Sequence, residues 1–66
     1  MKRPKGNNLE GLQFVVKNEG GSTDHFLRKG QIVELIFDDQ TDRPLFRPVG
    51  DRLSNFIRFE DLTLVK

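Results

Sequence analysis

The 66-residue sequence predicts an all-β domain, a small five-stranded antiparallel barrel, on three observations. Its apolar residues come in short runs with a period of two, the spacing of a strand with one buried side. Gly, Pro and Asx-rich turns separate these runs, and no segment sustains a helical period beyond about one turn. As an open sheet, five strands this short would expose unpaired edges, and closure removes them.

Residues 1–8, MKRPKGNN, carry Pro4, Gly6 and two asparagines without periodic apolar positions, so they read as a flexible basic N-terminal arm. The barrel domain spans residues 9–66. In LQFVVK, Leu12, Phe14 and Val16 share one face, and Gly20 and Gly21 in NEGGSTD end the strand. The run QIVELIFDD places Val33, Leu35 and Phe37 on one face and Ile32, Glu34 and Ile36 on the other, as in a central strand covered on both sides. Gly30, just before it, tolerates the positive φ of a turn. DDQTDR at 38–43 is a charged, solvated turn. LFRPV is a short strand whose Pro48 lacks a ladder donor and favours an edge or a bulge. After the Gly50-Asp51 turn, either Leu53 or Phe56 re-enters the sheet. Ile57 and Phe59 share a face, a 3₁₀ turn falls at Glu60-Asp61, and Leu62, Leu64 and Val65 form the last strand.

This order of elements resembles an SH3-like barrel over residues 9–66. FVVK stands as the first strand, NEGGSTDHFLRKG as the long irregular first loop, LRKGQIVELI as the turn glycine and second strand, and NFIRFEDLTLV as the last strand pair around a 3₁₀ turn, with Ile57 and Leu62 in the core. Peptide-binding members of that class hold proline-rich ligands against clustered Tyr and Trp. This chain has neither residue, and Arg58 and Phe59 stand where the ligand-binding proline would precede the 3₁₀ turn, so proline-rich recognition is not carried over. The chain is also similar in style to small accessory proteins of tailed bacteriophages. That resemblance implies modulation of a host protein machine in the bacterial cytoplasm.

Composition narrows the function classes. The formal charge is +1 from 11 basic and 10 acidic residues, far from the balance of a dedicated duplex binder, yet unevenly spread. Residues 1–17 carry Lys2, Arg3, Lys5 and Lys17 against Glu10, whereas 31–43 carry Glu34, Asp38, Asp39 and Asp42 against Arg43. Without cysteine there is no disulfide and no thiolate metal site. The apolar runs fall far short of the roughly 20 residues of a membrane span, and the start has no apolar leader region, so a soluble, cytoplasmic protein without membrane contact is expected.

No catalytic, cofactor or metal site is predicted. His25 is the single histidine, in a loop without a partner ligand. DDQTD lacks the spacing and distal glutamate of a calcium loop. GNNLEG and NEGGS neither open a helix nor carry a phosphate-loop lysine. The leading expectation is a non-enzymatic protein-binding module, with Phe26, Phe46 and Phe56 as apolar anchors, edged by Arg28, Lys29, Arg47, Arg52 and Arg58 and by Asp38, Asp39 and Asp42. The alternative is a nucleic-acid-binding barrel in which Lys2, Arg3 and Lys5 contact phosphate beside that arginine face. A second alternative is a structural subunit, including a homodimer.

Overall fold

The computed structural model describes residues 2–6, 8–18 and 27–65. The loop residues His25 and Phe26 lie outside them. The described chain is all-β: β1 (Gln13–Val16), β2 (Ile32–Phe37), β3 (Leu45–Pro48), β4 (Asn55–Phe56), a 3₁₀ turn (Phe59–Asp61) and β5 (Leu62–Leu64). The strands form one antiparallel sheet in the order β4-β3-β2-β1-β5. The strands do not complete the closed or nearly closed barrel expected from the sequence. β4 and β5 occupy opposite margins without pairing, so the sheet is open, and β4, only two residues long, limits how far that margin extends.

The core lies against the inner face. Phe14, Val16, Val33, Leu35, Phe46, Ile57 and Leu62 are fully buried, with Phe59, Leu9 and Leu27 nearly so. Phe14, Phe46 and Phe59 form an aromatic triad with ring centroids 5.4, 5.7 and 5.8 Å apart, two of the three contacts being edge-on. Such contacts contribute about 0.5–1.5 kcal/mol each beyond area burial. Phe46 is therefore a core residue and not the partner contact expected of it; paired with Leu35 on β2, it must face inward.

Turn chemistry fixes the frame. Gly30, at φ 90°, takes the left-handed position of a turn in which the Gln31 N–H donates to the Arg28 carbonyl, and its own N–H donates to Val16. Leu27 enters the core just before that turn. Pro48 is not on an edge strand. The Val49 N–H donates to Ile32, so the missing Pro48 donor would face the side of β3 that β4 does not reach, where no ladder bond is lost. Leu12, expected inside, is exposed where the Leu9 to Leu12 turn leads into β1; there the Gly11 N–H donates to the Leu35 carbonyl and the Leu35 N–H to the Leu12 carbonyl, two residues facing one.

The largest departure from simple alternation is at the end of β2. Leu35 pairs with Phe46, but Phe37 pairs with Leu45, which requires a β-bulge between them. The extra residue reverses the parity of the next positions along the chain. Phe37, expected beside Val33 and Leu35, is exposed, and Asp38, expected in a solvated turn, is buried.

Replacing Phe46 by Ala is expected to cost about 3–5 kcal/mol, comparable with the whole stability of a domain this size. Phe56→Ala is expected to cost less than about 1 kcal/mol. Urea denaturation followed by circular dichroism checks both.

Candidate functional site

Once the bulge turns Asp38 inward, its carboxylate needs partners, because a buried charge without them is strongly unfavourable. It finds three. Oδ2 accepts from the Leu9 N–H at 3.0 Å and from the Arg3 guanidinium at 2.6 Å, and Oδ1 accepts from the Gln40 N–H at 2.9 Å. The Asp38 side chain is 1% exposed and that of Arg3 19%. Around it, the Asp38 N–H donates to Glu10 Oε2 and the Arg3 guanidinium also donates to the Thr41 carbonyl at 3.0 Å. Gln40 holds φ 68°, a left-handed conformation rarely adopted by a residue with a side chain, stabilised here by the Asp38 bond to its N–H.

The Arg3 hydrogen bond is the largest influence on the Asp38 carboxyl, reinforced by the Gln40 and Leu9 N–H groups and opposed by burial. Together they lower its pKa to about 2. In the nucleic-acid alternative Arg3 contacts phosphate from a flexible arm. It instead spans 35 residues of sequence to this carboxylate, with its guanidinium carbon 5.8 Å from the centroid of the Phe59 ring.

A cleft of about 660 Å³ opens beside this pair. Lys2 and Arg3 form one wall, Asp42 and Arg43 a second, and the Arg58 to Glu60 turn a third. The Phe59 N–H donates to the Asp42 carbonyl, which ties the second wall to the third. Arg58 and Glu60 are exposed and make a long 3.5 Å ion pair, worth little in solvent.

The sheet's other face carries a different feature. Register places Phe37, Leu45 and Phe56 directly across from one another on β2, β3 and β4, all on the outer face. Phe37 is 55% and Phe56 49% exposed, and Leu45 between them is half-buried. Cross-strand neighbours have Cβ atoms about 5 Å apart, so the three form one apolar row. The next row of that face is polar, with Arg47 opposite Glu34 and Glu34 opposite Gln13. Beyond it Val49 and Ile32, both exposed, sit across from each other.

The remaining candidates are dispersed. Arg28 and Lys29 are exposed on the turn before β2, and Arg28 shares a second cleft, about 720 Å³, with Leu53 and Asp51. Arg52 is exposed in the β3–β4 connection, and the cleft holding Arg58 includes neither Arg47 nor Arg52. Asp39 is half-buried, its Oδ1 accepting from the Thr41 N–H and hydroxyl, whereas Asp42, Lys2 and Lys5 are exposed. Asp38, expected at the surface, is buried by the bulge and paired with Arg3. Sequence reasoning missed Phe37 and Leu45 as surface residues and Arg3 as the Asp38 partner. No local signal in the sequence marked either.

Among the described residues no three His, Cys, Asp or Glu side chains gather as a metal-ligand set, and no helix is long and apolar enough to cross a membrane. No protein-family model, curated protein or solved structure matches the chain.

The lowered Asp38 pKa fixes the sign of a pH effect. The folded-state value of about 2 lies below the ordinary 3.8, so the stabilisation is present above pH 3.8 and is lost as pH falls through 2. Its size is on the order of 1–2 kcal/mol, reduced by solvent at the open side of Arg3. Asp38→Asn is expected to be less stable at neutral pH and to lose most of the dependence between those two values, measured by urea midpoints across that range.

Proposed function

We propose that this chain is a non-enzymatic protein-binding module of the small SH3-like class, which docks its partner on the outer face of the sheet through Phe37, Leu45 and Phe56. The strand order β4-β3-β2-β1-β5, with the long first loop and the 3₁₀ turn before β5, supports the class. The observation that carries the function is the apolar row itself. Two phenylalanines about half exposed, one on each side of Leu45 in a single cross-strand row, keep a large apolar area in water, at a cost that a partner surface relieves. Aromatic anchors of this kind dominate the energetics of protein interfaces.

The charges beside the row favour protein over nucleic acid. Arg47 lies opposite Glu34, so the adjoining polar row is of mixed sign and would place a carboxylate against any phosphate backbone aligned along it. Arg52 and Arg58 lie outside the strands, in the connections before and after β4. In this reading the charges set orientation and the phenylalanines supply affinity.

The test is affinity capture from a nuclease-treated bacterial lysate, comparing the wild type with a Phe37→Ser, Phe56→Ser double variant. Truncating two anchors of this kind is expected to weaken capture by at least about 30-fold while the circular dichroism spectrum is unchanged. The wild-type interaction is expected to change less than about threefold between 0.1 and 0.3 M salt, since it is not made by counterion release. Capture that is equal in wild type and double variant, or that disappears with nuclease or moderate salt, overturns the proposal.

A further inference from the structure

The Arg3 contact has the composition of a recognition site for arginine. One terminal nitrogen meets the buried Asp38 carboxylate at 2.6 Å and lies 3.5 Å from Gln40 Oε1. The other donates to the Thr41 carbonyl at 3.0 Å, and the Phe59 ring lies 5.8 Å from the guanidinium carbon. A planar, forked donor satisfies Asp38 and Thr41 together, which the single ammonium of lysine is poorly shaped to do.

Most of this site is built without Arg3. The Leu9 and Gln40 N–H groups fix both carboxylate oxygens, and the Asp38 N–H is held by Glu10. The Thr41 N–H and hydroxyl donate to Asp39 Oδ1, and the Arg43 N–H donates to the Thr41 hydroxyl oxygen, which shapes the rest of the turn. Removing Arg3 would leave a preformed, buried carboxylate without its cation, which is the state that draws another cation most strongly. Arg3 reaches it on a segment whose neighbours Lys2 and Lys5 are exposed.

We propose that the pocket formed by Asp38, Gln40, Thr41 and Phe59 is a binding site for an arginine side chain on an extended segment of a partner protein, and that the chain's own Arg3 is its resident, competing occupant. The site is separate from the aromatic row and does not depend on it. A tethered occupant acts at an effective concentration on the order of millimolar, so a competitor needs contacts beyond its guanidinium. The adjoining cleft offers them, with mixed charge from Asp42, Arg43, Arg58 and Glu60.

The probe is an amidated peptide of residues 1–8, MKRPKGNN, and the same peptide with lysine in place of its arginine. Both are titrated into full-length wild-type protein and its Arg3→Ala variant, with the Leu9 and Gln40 amide signals followed by nuclear magnetic resonance. The arginine peptide is expected to bind the variant at least about tenfold tighter than the lysine peptide and at least about tenfold tighter than it binds wild type, moving both amides. Adding Asp38→Asn to the variant is expected to abolish that preference. If Arg3→Ala does not fold, Arg3→Lys retains the charge and is expected to show the same gain over wild type. Equal binding of the two peptides, or equal binding to wild type and variant, overturns the proposal. So does a wild-type dimer that Arg3→Ala dissolves, because the arm would then be exchanged between copies rather than held within one.

Discussion

One extra residue in β2 organises this molecule. The bulge between Leu35 and Phe37 reverses the inward and outward alternation at the end of the longest strand, and two side chains exchange places. Phe37 leaves the core for the outer face, where it meets Leu45 and lengthens an apolar row that would otherwise contain only one exposed phenylalanine. Asp38 enters the inner side, where its charge can persist only if it is neutralised and hydrogen-bonded. The Leu9 N–H, the Gln40 N–H and the Arg3 guanidinium supply that, so the N-terminal segment is drawn onto the sheet by the same event that creates the exposed row.

The two candidate surfaces arise from this exchange by different physics. On the outer face the driving force is apolar area left in water, directionless and only weakly sensitive to salt. At Asp38 it is the cost of a buried carboxylate, which demands a cation of defined shape and position. The aromatic triad of Phe14, Phe46 and Phe59 adjoins both. Phe46 lies one residue from Leu45 of the exposed row, and Phe59 lies under the Arg3 guanidinium. Three mutually packed rings fill much of this small core beneath both surfaces.

Much of the fold was legible because it rests on local rules. The period-two runs located the strands around Phe14, Val33 and Phe46. Gly30 marked its turn, and the step at Glu60-Asp61 marked the 3₁₀ turn, which runs from Phe59 to Asp61. The adjacent residues Phe56 and Ile57 do point to opposite sides, one exposed and the other fully buried. What was not legible depended on non-local geometry. Strict alternation put Phe37 inside, and no residue type in IVELIF announces the bulge that puts it outside. Its place beside Arg47 made Phe46 a candidate partner contact, although its pairing with Leu35 commits it to the core. Closure of the sheet depended on β4 and β5 meeting, which no period along the chain encodes. The Arg3 to Asp38 pair joins residues from a basic start and an acidic turn; their charges were visible, but their meeting was not.

The exchange of Phe37 and Asp38 is therefore the point to measure, by cross-strand nuclear Overhauser contacts along β2 and β3 together with the access of a soluble paramagnetic probe to the Phe37 ring. The bulged register predicts that Leu35 contacts Phe46 while Phe37 contacts Leu45, with the Phe37 ring signals broadened by the probe and the Leu9 and Gln40 amides protected beside Asp38. Phe37 found across from Pro44, with its ring sheltered from the probe and Asp38 facing solvent, would contradict the reversal on which both surfaces depend.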